Sequence, residues 1–387
     1  MITISEKNSC SGCYACKSVC PKNCIRMISD EEGFWYPQVD MDKCIGCGLC
    51  DKACPIIQKW NPEENSSTSA IAAINNDEEI RLKSSSGGIF TLISEEILNQ
   101  SGVVFGAAFT DDFKTVHHIG VDNISGLEKL RGSKYVQSCI GDTYKQAKDY
   151  LDNGRLVLFT GTPCQIGGLY SYLNRTYDNL YTQDIICHGV PSPMVWEKYV
   201  EARERDAEST TQRMFFRDKK YGWKTFAVLF EFSNNTAYEK NLREDSFMRA
   251  FLSNSCLRPS CYDCSFKGIK RQADITLADF WGVENVLPEM DDDKGTSLVL
   301  VHSDKGADLI RCIGERARIE IVDCYVIEKY NSASVKSVPF NSKRESFLSD
   351  IQSANFDKTV YEYTRESFLS RIRCLVGRIK RRIIRAF

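Results

Sequence analysis

The sequence predicts an α/β (α+β) domain preceded by a small, cysteine-rich domain. The chain has 387 residues, which is more than one hydrophobic core usually holds. Nine of its 18 cysteines fall in the early stretch Cys10–Cys54. From about residue 70, short apolar runs typical of strands alternate with longer amphipathic runs typical of helices. Such alternation favours a mixed α/β core for the second domain.

The early cysteines form one pattern that occurs twice. The first copy is Cys10-x2-Cys13-x2-Cys16-x3-Cys20-Pro21, and the second is Cys44-x2-Cys47-x2-Cys50-x3-Cys54-Pro55. In two-cluster bacterial ferredoxins, three closely spaced thiolates bind one cluster and the fourth ligand comes from the other run. We therefore expect a ferredoxin-like domain over 1–60 with two [4Fe–4S] clusters. The ligands of one are Cys10, Cys13, Cys16 and Cys54, and those of the other are Cys44, Cys47, Cys50 and Cys20.

Two other interpretations of this cysteine pattern fit less well. A structural zinc site uses two cysteine pairs, whereas each run here has three close thiols and a fourth. A disulfide framework is typical of secreted proteins, and residues 1–7 lack the apolar core of a signal peptide. Cys24 has no place in either ligand set, and we expect it to be a buried thiol.

The composition narrows the class of protein. With 50 basic and 52 acidic residues the net charge is −2, which argues against a general nucleic-acid binder. The hydrophobic fraction is 42% and the mean hydropathy is −0.33, both ordinary for a globular protein. No apolar run approaches the roughly 20 residues that a membrane span needs. Many cysteines without a signal peptide indicate a reducing, cytoplasmic location.

The remaining elements follow from the hydrophobic pattern. We predict strands over 70–74, 102–109, 116–121, 155–160, 180–187, 226–232, 297–302 and 319–322. We predict helices over 89–99, 142–151, 193–205, 246–252 and 305–316, and one that continues from the turn at 161–168 to residue 173. The polar stretch 61–69 is predicted to be a linker, 70–340 the large domain, and 341–387 a separate tail.

The end of the tail predicts a basic amphipathic helix. Apolar residues recur at three- and four-residue steps over Phe368–Phe387, and seven basic residues stand among them with no acid from residue 371 onward. This pattern suits an anionic membrane surface or a partner groove. The alternative is a terminal helix docked on its own body. The first interpretation predicts peripheral attachment at the inner face of the membrane.

Three loops of the large domain are candidates for binding phosphate. Ser84–Gly88 precedes a predicted helix, whose first N–H groups favour an anion. Arg131–Lys134 adds two cations beside a glycine, and Gly161–Gln165 follows a buried strand, where ligands of α/β sheets gather. The plain alternatives are a serine-rich helix cap, a surface loop and a strand-to-helix turn. The candidate cofactor-binding residues are Ser84, Ser85, Ser86, Gly87, Gly88, Arg131, Gly132, Ser133, Lys134, Gly161, Thr162, Pro163 and Gln165.

A second group of cysteines predicts a third [4Fe–4S] cluster. Cys256, Cys261 and Cys264 are close in sequence, and either Cys164 or Cys187 would complete the set through the fold. Zinc is the alternative metal. His188 follows Cys187 and is a candidate for contact with a cofactor or for a catalytic role. His117 and His118 lie in a strand pattern, where a structural role is expected. The cysteines without sequence partners, expected to be packing thiols, are Cys139, Cys312, Cys324 and Cys374.

These segments together resemble the coenzyme F420 hydrogenase/dehydrogenase beta-subunit family, with a ferredoxin-like domain fused in front. The resemblance covers residues 1 to about 340. The matching segments are Ser84–Gly88, Arg131–Ser138, Gly161–Gly168, Cys187–Pro193, Phe216–Trp223, Cys256–Lys267 and Ala273–Gly282. It implies FAD lying across the three candidate loops and a cluster held close to it by the downstream cysteines. Because the family is broad, the substrate does not carry over.

The resemblance implies an iron–sulfur flavoprotein oxidoreductase. Such an enzyme moves electrons between a two-electron carrier or substrate, deazaflavin-like or otherwise, and ferredoxin-type clusters. Its partner would be an electron-transfer protein or a small-molecule hydride carrier. The alternative is an electron-relay subunit without its own substrate site, feeding a partner enzyme such as one of polysaccharide biosynthesis. A third interpretation is a structural zinc or iron protein without turnover. An open pocket at the flavin ring would favour the enzyme, and a covered ring would favour the relay.

Overall fold

The computed structural model describes residues 1–60 and 67–365. Most of the predicted linker and the predicted helix over Phe368–Phe387 lie outside the described residues. The strands are β1 (Ile25–Ser29), β2 (Trp35–Val39), β3 (Ser69–Asn75), β4 (Val103–Phe109), β5 (Val116–Val121), β6 (Val157–Thr160), β7 (Leu180–Ile185), β8 (Thr211–Asp218), β9 (Ala227–Phe232), β10 (Ala237–Asn241), β11 (Ile275–Asp279), β12 (Ser297–Val301) and β13 (Ala317–Val322).

Helices connect most of these strands. They are α1 (Ala15–Val19), α2 (Leu49–Lys52), α3 (Glu78–Lys83), α4 (Ile89–Asn99), α5 (Ile124–Leu130), α6 (Thr143–Asp152), α7 (Pro163–Leu173), α8 (Pro193–Ala207), α9 (Ser246–Leu252), α10 (Val283–Val286), α11 (Asp304–Cys312), α12 (Tyr325–Tyr330), α13 (Arg344–Asp350) and α14 (Phe356–Thr364). The predicted mixed α/β class is confirmed. Among these helices, none is both long enough and apolar enough to cross a bilayer.

An eight-stranded sheet forms the centre of the large domain. Its strand order is β13-β3-β12-β11-β7-β6-β4-β5. The four strands β11, β7, β6 and β4 are parallel, and the flanking pairs are antiparallel. Apolar side chains are buried on both faces of this sheet, which explains why strands such as β4, β6 and β12 contain continuous apolar runs in the sequence. Ligands of such sheets bind where the parallel strands end.

A second core surrounds Trp196 on α8. The three-stranded antiparallel sheet β10-β9-β8 packs against this helix, and the rings of Phe216 and Phe247 lie 4.9 and 5.0 Å from that of Trp196. Helices α13 and α14 join the same core through Phe347 and Phe356. Residues 344–364, predicted as the first part of the tail, are therefore packed on the folded body.

The ferredoxin-like domain is held against the large domain. It consists of the β1–β2 hairpin and the short helices α1 and α2. Arg344 on α13 makes two hydrogen bonds to the carboxylate of Glu32, which lies in the hairpin turn, one of them 2.8 Å long. Both side chains are largely buried, so this ion pair fixes the hairpin to the body.

Candidate cofactor cleft and cysteine sets

The structure brings the ferredoxin cysteines together as two crossed sets. Cys10, Cys13 and Cys16 line one cavity with Cys54 from the second run. Cys44, Cys47 and Cys50 line the other with Cys20 from the first run. Each predicted ligand set therefore surrounds one cavity. Cys24 lines the second cavity as well, with its Sγ 3.3 Å from that of Cys20.

The doubled sequence pattern produces a doubled backbone conformation. Gly12 and Gly46 precede the second cysteine of their runs, with φ of 68° and 67°. Tyr14 and Gly48 follow that cysteine, with φ of 68° and 71°. Left-handed residues turn the chain so that successive cysteine side chains point to one centre. The two runs thus fold the same way although tyrosine replaces glycine in the first.

The two ferredoxin sets face different surroundings. A methyl group placed on Gly12 would lie 2.6 Å from Gln137 Nε2 in the large domain, whereas one on Gly46 would meet nothing within 4 Å. Cys47 is exposed, and the neighbouring Ile45 is 61% exposed. The first set therefore lies at the junction of the two domains, and the second lies at the outer surface.

The third cysteine set has a different composition from the predicted one. Cys164, Cys187, Cys261 and Cys264 line a single cavity, so both of the proposed completing thiols take part. Cys256 does not line it. Its side chain is fully buried in the core around Trp196, and its carbonyl accepts a 2.8 Å hydrogen bond from the backbone of Ser192. The prediction that Cys256 is a ligand is therefore corrected.

Strand ends and a capped helix position this set. Cys164 and Cys187 follow the adjacent parallel strands β6 and β7, which explains why residues far apart in sequence meet. At the start of α7, the side chains of Thr162 and Gln165 form a capping box, with Pro163 in the first turn. This cap fixes the direction of Cys164.

The surroundings of these four thiols fit an iron–sulfur cluster. Burial raises the pKa of Cys187 and of Cys261 to about 12, so bound metal is needed to hold them as thiolates. Arg271 lines the cavity at 7% exposure, and its Nε has no partner among the described residues. Such a donor suits sulfur atoms of a cluster. No three His, Cys, Asp or Glu side chains of residues 1–60 and 67–365 are grouped to hold a single ion.

Helix α7 connects the third set to the first. It carries Cys164 at its start, and a methyl group placed on Gly168 one turn later would lie 3.1 Å from Cys13 Sγ. Ser11 and Ile56 of the ferredoxin-like domain also line the third cavity. The two cysteine sets are therefore neighbours across the domain junction.

A cleft lies at the carboxyl ends of the parallel strands. Its cavity volume is about 300 Å³, and its walls combine apolar residues with a few polar ones, as ligand sites commonly do. Two of the predicted loops meet here, because Ser85 Oγ accepts hydrogen bonds from the backbone N–H and the hydroxyl of Ser133, both at 2.8 Å. The third loop contributes Gly161, Thr162 and Gln165.

Eleven of the thirteen candidate cofactor residues line the cleft, and two do not. Gly87 packs behind its loop, where a methyl group would lie 2.4 Å from the carbonyl oxygen of Ala73 on β3. Its role is therefore to let the loop lie on the sheet. Pro163 lines the third cysteine cavity instead. His188 also lies there, with Nε2 2.7 Å from Asn254 Oδ1, and does not line the cleft.

The sequence interpretation missed two polar residues on the floor of the cleft. His118 and Gln183 are 5% and 4% exposed, and each has a side-chain atom without a hydrogen-bond partner among the described residues. His118 was expected to have a structural role. The run of polar residues at 182–184, in a strand that lies in the middle of the sheet, was the available signal.

The cleft has features that fit a ligand bearing phosphate. Helix α4 starts at its wall with Gly88, and a helix start favours phosphate. Arg131 and Lys134 add positive charge on the opposite loop. Burial, together with Arg131, lowers the pKa of Lys134 to about 7. An anion bound beside this lysine would favour its charged form and so oppose the lowering of its pKa by burial and by Arg131.

Comparison with known proteins identifies two regions of the chain. Residues 154–325 match the family that comprises the C-terminal part of the coenzyme F420 hydrogenase/dehydrogenase beta subunit. Residues 9–56 match the family described as "4Fe-4S dicluster domain". The resemblance inferred from the motifs is thus confirmed, and the matched dicluster domain supports iron–sulfur clusters in the ferredoxin-like domain.

Several known proteins are similar to parts of the chain. An uncharacterized protein of Methanocaldococcus jannaschii is 28% identical over 204 residues, which are 45% of this chain and 56% of that protein. NADH-quinone oxidoreductase subunit I 2 of Geobacter metallireducens is 42% identical over 56 residues, which are 13% of this chain and 43% of that protein. The chain thus spans about half the length of these relatives.

A solved structure aligns with part of both domains' combined length. A chain of the F420-reducing [NiFe] hydrogenase complex from Methanosarcina barkeri aligns with a TM-score of 0.48 and 14% identity. The alignment covers 75% of this chain and 95% of that one.

Proposed function

Because residues 154–325 belong to the F420 hydrogenase/dehydrogenase beta-subunit family and residues 9–56 form a 4Fe–4S dicluster domain, we propose that this chain is an iron–sulfur flavoprotein oxidoreductase. It would exchange electrons between a two-electron carrier at the cleft and a one-electron partner at the ferredoxin-like domain. The family match supports the class of reaction, and the geometry supports the path through the chain.

This proposal rests on the order in which the cleft and the three cysteine sets follow one another in space. Thr162 lines the cleft, and its Oγ1 lies 3.1 Å from the Sγ of Cys164 in the third cysteine set. Helix α7 brings this set against Cys13 of the first ferredoxin set. The second ferredoxin set, with Cys47, reaches the surface. The chain therefore places a binding cleft and three cysteine sets as successive neighbours from one domain to the other.

Residues of the chain have separate roles in this arrangement. A bound flavin supplies the conversion between two-electron and one-electron chemistry. Ser85, Ser133 and Arg131 would hold its phosphates, and Ile185 and Leu277 would exclude water from its ring. The twelve thiols of the three sets would hold the clusters, with Arg271 donating to the third.

The proposal is tested by following electrons from the cleft to the clusters. The full chain is purified anaerobically and analysed for flavin and for iron, with about twelve irons expected for three four-iron clusters. Illumination with EDTA then reduces the flavin, and electron paramagnetic resonance reports cluster reduction. In the Cys261→Ala variant, which lacks a third-set ligand, we expect cluster reduction to slow at least tenfold.

A matched variant makes this result interpretable. Cys312 is exposed at the end of α11 and belongs to none of the sets, so Cys312→Ala should behave like the unaltered chain. The proposed path is wrong if the Cys261→Ala variant loses its third cluster yet transfers electrons at the original rate. The flavin assignment is wrong if the purified chain neither contains nor binds flavin.

A further inference from the structure

Two buried hydrogen-bond acceptors that belong to residues lining the cleft have no partners among the described residues. They are Nδ1 of His118 on β5 and Oε1 of Gln183 on β7. The Nε2 of His118 lies 2.9 Å from the carbonyl oxygen of Thr160, and the backbone carbonyl of Gln183 accepts from the N–H of Gly161. Both residues therefore converge on the end of β6, where the cleft floor lies.

The hydrogen bond to Thr160 fixes the tautomer of His118. A carbonyl oxygen only accepts, so Nε2 must carry the proton and Nδ1 is left with a free lone pair. Burial lowers the pKa of His118 to about 4, which keeps the ring neutral near pH 7. His118 reaches Thr160 because its partner on the intervening strand β4 is the small residue Ala107.

The half-buried His302, which directly follows β12, shows a different pattern. It has a hydroxyl at each ring nitrogen, Thr68 Oγ1 at 3.0 Å from Nδ1 and Thr276 Oγ1 at 2.9 Å from Nε2. It does not line the cleft. A buried acceptor left unpaired costs free energy, and natural folds rarely tolerate it without a ligand or water. The open acceptors of His118 and Gln183 therefore point to a partner that enters the cleft.

We propose that His118 and Gln183 form a subsite whose two acceptors share the ring N–H of a heterocycle bound in the cleft in a three-centre hydrogen bond. Resting on the proposed function, that group is the imide N3–H of a flavin. The side-chain amide of Gln183 also carries a donor for a ring carbonyl beside the N–H. The subsite orients the ring with its pyrimidine edge toward the sheet and leaves the opposite edge toward the cleft mouth.

Flavin analogues test the subsite without measuring activity. The full chain, freed of flavin under anaerobic conditions, is titrated with riboflavin, 3-methylriboflavin and 5-deazariboflavin, and binding is followed by fluorescence. The methyl group removes the N3–H, whereas the deaza compound keeps it. We expect 3-methylriboflavin to bind at least tenfold more weakly than riboflavin, because it leaves a buried acceptor unpaired, and 5-deazariboflavin to bind within a factor of about three of riboflavin.

Variants locate the effect at the two residues. The ratio of the two dissociation constants, riboflavin against 3-methylriboflavin, is compared within each variant, so that general loosening cancels. His118→Phe and Gln183→Leu should each bring this ratio toward one. His302→Phe is the matched control and should keep the original ratio.

The possible outcomes distinguish failure of the subsite from failure of the proposed function. Equal binding of riboflavin and its 3-methyl analogue by the unaltered chain overturns the subsite and leaves flavin binding standing. A ratio that survives both His118→Phe and Gln183→Leu also overturns it, because the N–H then meets another acceptor. If none of the three flavins binds, the flavin proposal itself fails and the subsite fails with it.

Discussion

Arg258 donates a 2.8 Å hydrogen bond from Nε to the backbone carbonyl of Cys10, a ligand candidate of the first ferredoxin set. Its other nitrogens donate to the side chain of Gln137 and the carbonyl of Trp35, both at 3.0 Å. The side chain is 0% exposed and lies 4.3 Å over the ring of Tyr36. Arg258, which lies between Cys256 and Cys261 in the sequence, thus fixes the position of the first ferredoxin set.

Replacing this arginine should loosen the domain junction. Arg258→Leu leaves one buried and two part-buried acceptors without this donor, and loss of a buried partner costs about 1–3 kcal/mol. We expect the free energy of unfolding to fall by about 3 kcal/mol or more, measured by anaerobic denaturant titration. Protease cleavage between the two domains should also become faster.

The control for this change is Arg213→Leu, because Arg213 is mostly exposed on β8 and makes only a 3.6 Å ion pair with Glu231. It should alter stability by less than about 0.5 kcal/mol. Equal stability of the Arg258→Leu and Arg213→Leu variants would show that the buried contacts do not hold the junction.

The crossed ferredoxin sets predict unequal effects of two serine variants. Cys54→Ser removes a ligand of the first set, and no fifth cysteine among the described residues lines that cavity to replace it. Cys20→Ser should retain more iron, because the thiol of Cys24 lies 3.3 Å away in the same cavity. The double variant Cys20→Ser, Cys24→Ser should fall to about eight irons per chain, measured by iron analysis.

Two outcomes of these measurements would contradict the crossed ligand sets. If Cys54→Ser affects only the spectrum of the second-run cluster, the ligands are not crossed. If the double variant keeps all its iron, Cys20 is not a ligand.

The corrected third set predicts different results for two neighbouring cysteines. Cys261→Ala should lower the iron content by about four, because Cys261 lines the third cavity. Cys256→Ala should keep the iron, because that thiol is packed in the aromatic core. It should instead lower stability by about 1 kcal/mol. Loss of iron from Cys256→Ala would restore Cys256 as a ligand, as first expected from the sequence.

The lowered pKa of Lys134 predicts a pH dependence of phosphate binding. In the free cleft this lysine is charged below pH 7 and loses its proton above it. Bound phosphate favours the charged form and raises the pKa, so binding above pH 7 must take up a proton. The affinity for FAD relative to riboflavin should therefore fall as the pH rises from about 7 to about 9, measured by fluorescence titration.

Lys134→Met supplies the comparison for this titration. It should weaken FAD binding at pH 7 and remove most of the pH dependence, while riboflavin binding stays unchanged. A pH dependence that persists in the Lys134→Met variant would assign it to another group.

The sequence by itself determined the local chemistry of this protein. The spacing of Cys10–Cys54 predicted two crossed sets, because it repeats the pattern of two-cluster bacterial ferredoxins, in which the fourth ligand comes from the other run. Loop motifs such as Ser84–Gly88 and Gly161–Gln165 were found in the same way, since helix starts and glycines are recognised from neighbouring residues. The alternation of strands and helices predicted the mixed α/β class for the same local reason.

Only the tertiary structure decided which distant residues share a site. Cys256 is close to Cys261 in sequence but points into another core, whereas Cys164 and Cys187 meet because β6 and β7 are adjacent parallel strands. The open acceptors of His118 and Gln183 likewise depend on strand order. Side-chain proximity across a sheet follows from how strands pair and which side chains are buried between layers, and no short stretch of sequence carries that information.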